Sequence, residues 1–357
     1  MRPPIVYLLS IIVLYLSCSP RPKDSADIHT DLSNCKILQL SELFDEIRYI
    51  PLETPDTALI ANVQSVTYHN DRYYLIAENT LYVFDRQGKY LSQHNNRGRG
   101  ANEYNNIFQV KSSVGDSILY ISGDNGKGHL VMAYDKNGNY LKTLIQNRSF
   151  NMEFNVLENE ILTSDGRTVS IYNKQGKLEN EIQITPFDSI PFGTSNYLSD
   201  FSNREVLFSC PGCDTLYFIG KCGISRKISL DYGHNQTPEQ FKKSLSKQIT
   251  FPYYHHFISL GKTILDLIVI DEKQYMIQLD LARRTATVCD TLINDIDHTM
   301  PYIPREIVQD QGLMVLSAPV FFHFIKPEQR SAIPSLRNLT EEANPVIVVL
   351  NFKSSSL

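Results

Sequence analysis

LYVFDRQGKYL (81–91), VMAYDKNGNYL (131–141) and VSIYNKQGKLE (169–179) are three copies of one hairpin. In each, an apolar and aromatic strand runs into Asp or Asn, two polar residues and Gly follow, and a second strand leaves. The Asp or Asn side chain opens the turn by accepting from the backbone ahead of it, and Gly takes the positive-φ position that closes it. The turn glycines Gly88, Gly138 and Gly176 are 50 and 38 residues apart. Degenerate copies follow at DTLYFIGKCGISRKISL (214–230) and YMIQLDLARRTATVCD (275–290), the latter without Gly in its turn. An antiparallel unit recurring every 40 to about 50 residues is the pattern of propeller blades.

The two ends of the repeat complete it. IRYIPLE (47–53) is a strand with no earlier partner, and NPVIVVLNFK (344–353) is one with no later partner. Pairing them closes a ring and removes two exposed edges. Five hairpins and one shared blade predict an all-β, six-bladed β-propeller over residues 36–357, closed by N- and C-terminal strands sharing a blade. Dividing 47–351 among six blades leaves roughly 51 residues each, a workable length for blades with insertions. A seven-bladed ring and two stacked β domains are the alternatives. TPEQFKKSLSKQI (237–249) and PEQRSAIPSLRNLTEEA (327–343) break the strand pattern and read as helical or loop insertions.

The N-terminus reads as targeting. Arg2 precedes an apolar run from Ile5 to Leu16, too short to span a bilayer, which needs roughly 20 apolar residues. Ser17 and Cys18 end that run in the manner of a lipoprotein cleavage site, with Tyr15 where Leu is usual. The expectation is a signal peptide over 1–17, lipidation at Cys18, membrane attachment through that lipid, and a flexible linker over 18–35. The basic stretch Ser19-Pro20-Arg21-Pro22-Lys23 favours the periplasmic face of the outer membrane over the cell surface. A net charge of −5 argues against a nucleic-acid partner. The remaining cysteines, Cys35, Cys210, Cys213, Cys222 and Cys289, are odd in number and irregularly spaced, unlike a disulfide framework.

Taken in order, IRYIPLET (47–54), LIANVQSV (59–66), LYVFDRQGKYL (81–91), RGRGANEY (97–104), DTLYFI (214–219) and NPVIVVLNF (344–352) resemble the six-bladed β-propeller lipoproteins of gut anaerobic bacteria. The resemblance implies the propeller and the lipid anchor, and says little of chemistry, since one fold hosts many functions. That family's loop after the first blade reads Gly-x-Gly-Pro-Gly-Glu-Tyr. Arg99, Gly100, Glu103 and Tyr104 match that loop, while Ala101 and Asn102 replace its Pro and Gly.

This loop is the first candidate site. Arg97 and Arg99 can clamp a carboxylate or sulfate, with Glu103 and Tyr104 completing a polar pocket. The structural alternative is an Arg99–Glu103 ion pair holding two blades together. His255 and His256 are adjacent, so on a strand their rings point to opposite faces, and His255 is the candidate channel ligand. Cys210-Pro-Gly-Cys213 with Cys222 supplies only three cysteines for a zinc site and lies on a turn, so these read as ordinary turn and strand residues. No phosphate loop, HExxH or G-x-S-x-G is present. Asp124, Asp165, Asp266 and Asp271 lie near strand ends, from which acids can converge on a channel calcium. No cofactor is required by the sequence. The reading is an envelope lipoprotein whose propeller binds a glycan, a peptide or an envelope protein without catalysis. The alternative is a metal-dependent, lactonase-like hydrolase or lyase with an ion in the channel. A structural subunit of an outer-membrane assembly is the third reading.

Overall fold

The computed structural model describes residues 26–100, 102–113, 115–148, 153–184, 198–209, 215–233, 255–260, 263–270 and 273–353. Three strands precede the first blade: β1 (Ile28–His29), β2 (Lys36–Gln39) and β3 (Phe44–Pro51). Blade 1 holds β4 (Val63–His69), β5 (Arg72–Ala77), β6 (Thr80–Asp85) and β7 (Tyr90–His94). Blade 2 holds β8 (Asn106–Ser112), β9 (Leu119–Asp124), β10 (His129–Tyr134) and β11 (Tyr140–Asn147). Blade 3 holds β12 (Glu153–Val156), β13 (Glu160–Ser164), β14 (Thr168–Asn173) and β15 (Leu178–Gln183). Blade 4 follows with β16 (Leu198–Asp200), β17 (Glu205–Phe208), β18 (Thr215–Gly220) and β19 (Gly223–Asp231). Blade 5 has β20 (His255–Leu260), β21 (Thr263–Ile270), β22 (Lys273–Asp280) and β23 (Thr285–Ile293). Blade 6 joins β24 (Glu306–Val308), β25 (Gln311–Leu316) and β26 (Val346–Phe352) to β3, which runs antiparallel to β26 from Val346↔Pro51 to Phe352↔Phe44. The molecule is a six-bladed β-propeller whose last blade is shared by the two ends of the chain.

The repeated hairpin is the β6–β7, β10–β11 and β14–β15 turn. One oxygen of Asp85 accepts from the backbone N–H of Gln87 and Lys89 at 2.9 Å. Asp135 does the same with Asn137 and Asn139, and Asn173 with Gln175 and Lys177. Only one acceptor oxygen is used in the shared pattern, so Asn serves as well as Asp. Each turn is followed by a register shift in the ladder, the bulge that a three-residue turn with left-handed Gly imposes.

Strand alternation then packs the ring. On β5, Tyr73, Leu75 and Ala77 bury against blade 6, while Tyr74 and Ile76 bury against blade 2. Both faces of a blade are covered, so its inner strands read as nearly unbroken apolar runs. Six hydrophobic clusters result, one at each blade interface.

The N-terminal segment departs from expectation. β1 pairs in parallel with β19 on blade 4, and β2 with β23 on blade 5, before the chain enters blade 6. Ile28 is fully buried in the blade 4–blade 5 interface, and Asp27 accepts from Ser229 and Arg284. The linker reading of 18–35 is therefore corrected from residue 27 onward. A two-residue strand carries no periodicity by which the sequence could reveal it.

Within the insertion between β25 and β26 are α1 (Ala318–Phe324), α2 (Pro327–Ala332) and a 3-10 turn (Pro334–Leu336). The 237–249 insertion lies outside the described residues. Among the described residues, no helix is long and apolar enough to cross a membrane.

Candidate functional site

The RGRGANEY loop joins β7 of blade 1 to β8 of blade 2. Tyr104 is buried and pins it. Its hydroxyl donates to the Asn79 carbonyl at 3.0 Å and accepts from the Asn96 N–H at 3.1 Å. Its backbone pairs with Asn96 and Gly98 on the other arm. Glu103 accepts from the Gly100 N–H at 2.6 Å, and no ion pair joins it to Arg99. Arg97 and Arg99 are exposed, so the loop offers two guanidinium groups on a fixed backbone. Tyr104→Phe should cost about 1 kcal/mol, because two part-buried hydrogen bonds, to the Asn79 carbonyl and from the Asn96 N–H, are lost. Denaturant unfolding of the variant, with an unchanged slope, checks this.

His255 and His256 begin β20, the innermost strand of blade 5. Of the acids named from the sequence, the three described ones do not meet. Asp124 accepts from Asn106 and Gly126 on blade 2, Asp165 closes the turn before β14, and Asp266, buried on blade 5, accepts from the hydroxyl of Tyr232, which follows β19 of blade 4. Asp271, Cys210 and Cys213 lie outside the described residues. Cys222 is exposed in the β18–β19 turn, and Cys35 and Cys289 are free thiols.

The axis itself is built by other residues. From β8, the Lys111 ammonium donates to Asp200 at the end of β16 and to Glu306 at the start of β24, at 2.8 Å each. These come from blades 2, 4 and 6, so one ammonium ties together every second blade. Burial disfavours charge on Lys111, but the two carboxylates outweigh it and lift its pKa above the usual range. Burial also raises the Glu306 carboxyl above its usual range, with the neighbouring Asp200 charge adding to it and Lys111 opposing it.

On one side of this cluster lies a recess of about 200 Å³, and on the other a smaller one of about 50 Å³. Both are lined by Lys111, Asp200, Glu306 and Ser259, so the ion cluster partitions the channel. The larger recess opens between the turns that join the first and second strands of blades 3, 4 and 6, with Glu158, Asn203 and Gln309 at its rim. His69 lines it as well. Burial lowers the His69 pKa, and its Nε2 lies 2.9 Å from the Asn70 side-chain amide.

The sequence profile described as Domain of unknown function (DUF4934) matches residues 24–351, nearly the whole propeller. The chain belongs to the DUF4934 family. The fold recurs in a crystal structure of a Bacteroides fragilis protein assigned as exported, with TM-score 0.67 and 14% identity over 89% of this chain and 100% of the other. A member of the DUF4221 family from Bacteroides vulgatus is similar at TM-score 0.51 and 11% identity, over 87% and 98% of the two chains. No protein of curated function matches the sequence. At such identities the likeness is one of fold.

For this DUF4934 member, sequence reasoning missed Lys111, Asp200, Glu306 and Ser259. Each sits on the first strand of its blade, and nothing in the local spacing marks it. Superposing the blade repeats would have placed the first strands around the axis, and with them a lysine and two acids facing one another.

Proposed function

We propose that this DUF4934 chain is an envelope lipoprotein, anchored through Cys18 on the periplasmic face of the outer membrane, whose propeller binds a glycan, a peptide or an envelope protein without catalysis. The axial recess carries the reading. It is a concave, polar-floored pocket on a rigid ring, the common form of a ligand site. A metal-dependent enzyme would need three or more acidic, amide or imidazole groups free to meet on the axis. The two acids that do meet there are held by Lys111, and among the described residues no three His, Cys, Asp or Glu side chains could share an ion. The exported assignment of the Bacteroides fragilis neighbour supports an envelope location. A glycan, peptide or envelope protein remains the class of partner, with its reading group in the recess.

Thermal melts against a panel of glycans and peptides, with and without chelator, test the binding claim. A ligand-dependent rise in Tm that chelator leaves unchanged is expected. A fall in Tm with chelator alone, restored by calcium or zinc, would favour the metal enzyme. The anchor is tested by metabolic labelling with an alkyne fatty acid. The parent chain should take up label and sediment with membranes, and Cys18→Ser should do neither. Label retained in Cys18→Ser would end the lipoprotein reading.

A further inference from the structure

We infer that the axial recess is a site for a small molecule bearing a primary ammonium group, received by the carboxylates of Asp200 and Glu306. This rests on the binding reading above and adds the class of ligand.

Charge is the first argument. The described residues lining the recess carry three carboxylates, Glu158, Asp200 and Glu306, against a single ammonium, that of Lys111. The Arg204 guanidinium approaches Glu158 only from the exposed rim, at 3.7 Å. Leaving the exposed Glu158 aside, the floor still carries two carboxylates against one ammonium, a negative excess in a cleft that attracts a complementary cation.

Unused acceptors are the second argument. Lys111 engages one oxygen of each floor carboxylate, Asp200 Oδ2 and Glu306 Oε2. The second oxygen of each takes no hydrogen bond from the described chain. An ammonium has three donors and no acceptor, so it matches a set of converging acceptors.

The third argument is independent of charge. Ser259 is only 4% exposed, lines the recess, and its Oγ has no hydrogen-bond partner among the described residues. A buried hydroxyl left unpaired costs free energy that a ligand donor or acceptor would recover. An anionic ligand would meet like charge at the floor, and a neutral one would leave the excess unmatched. The volume of about 200 Å³ equals roughly seven waters, which suits a free amino sugar or amino alcohol rather than a length of polymer.

Calorimetric titration of the chain with glucosamine and with ethanolammonium, using glucose as the neutral control, decides the matter. Glucosamine is expected to bind saturably, at least about tenfold tighter than glucose, and more weakly as salt rises. Glu306→Gln should lose about tenfold of that affinity. Ser259→Ala, which removes only an unpaired hydroxyl and should melt like the parent, should weaken binding several-fold. Equal binding of glucose and glucosamine would overturn the ammonium class while leaving a sugar-binding propeller standing. Failure of both ammonium compounds to bind, or parental affinity in folded Glu306→Gln and Ser259→Ala, would also overturn it. Loss of the general binding reading would instead show as no response to any compound in the wider panel.

Discussion

Lys111→Met is expected to destabilise the propeller by about 3 kcal/mol. Removing one partner of an enclosed ion cluster leaves the others charged and unpaired, which typically costs about 3–5 kcal/mol. Asp200 keeps 31% of its side chain exposed, so water relieves part of the penalty and the lower end applies. The loss should depend on pH in a definite sense. Without the ammonium, Asp200 and Glu306 face one another, and the already raised Glu306 pKa moves further up. A carboxyl whose folded pKa exceeds its unfolded value stabilises the fold below the unfolded value, near 4.3 for Glu, and that contribution fades as pH rises through the folded value. The deficit against the parent should therefore be smallest near pH 4–5 and largest near pH 8. Combining Lys111→Met with Asp200→Leu and Glu306→Leu should recover most of the loss, because an apolar cluster of similar volume needs no pairing. Urea unfolding at the two pH values measures all of this. A deficit under about 1 kcal/mol, equal at both, would mean the cluster is effectively solvated.

Gly176→Ala is the second large effect, a loss of about 3 kcal/mol. Gly176 has φ +83°, where a side chain costs about 1–2 kcal/mol. A Cβ there would also stand 2.0 Å from the Leu144 carbonyl oxygen on β11, so the blade 3 turn would have to lift off blade 2. Gly88 meets the Pro51 carbonyl on the closing strand in the same way, at 2.4 Å. The glycine is thus required twice, once by its turn and once by the blade before it. Gly115 separates the two causes, since it has φ +79° with nothing within 4 Å of an added Cβ. Gly115→Ala should cost only about 1 kcal/mol. Equal denaturant midpoints for the two variants would show that the turn does not bear on its neighbour.

Much of the fold was legible in the chain because blades repeat. Asp85, Asp135 and Asn173 announce the same turn by the same local hydrogen bonds, and the unpartnered strands at 47–53 and 344–353 announce the closure. Tyr104 was legible as a loop residue of consequence, although the chain alone could not tell that its hydroxyl would turn inward to Asn79 and Asn96. The Arg99–Glu103 pair was a plausible use of opposite charges four residues apart, but the Gly100 N–H lies nearer in sequence and takes the Glu103 carboxylate.

What the sequence by itself determined is therefore the architecture: strand length, alternation and turn chemistry act over a few residues, and a repeat needs only those to be recognised. The tertiary structure alone decided the centre. Lys111, Asp200 and Glu306 are separated by 89 and 195 residues from the lysine, and their meeting depends on the ring closing with six blades in register. The burial of Ile28 was decided there too, because its pocket does not exist until blades 4 and 5 have come together. Contacts made by closure leave no mark on local spacing, and the candidate binding recess consists almost entirely of such contacts.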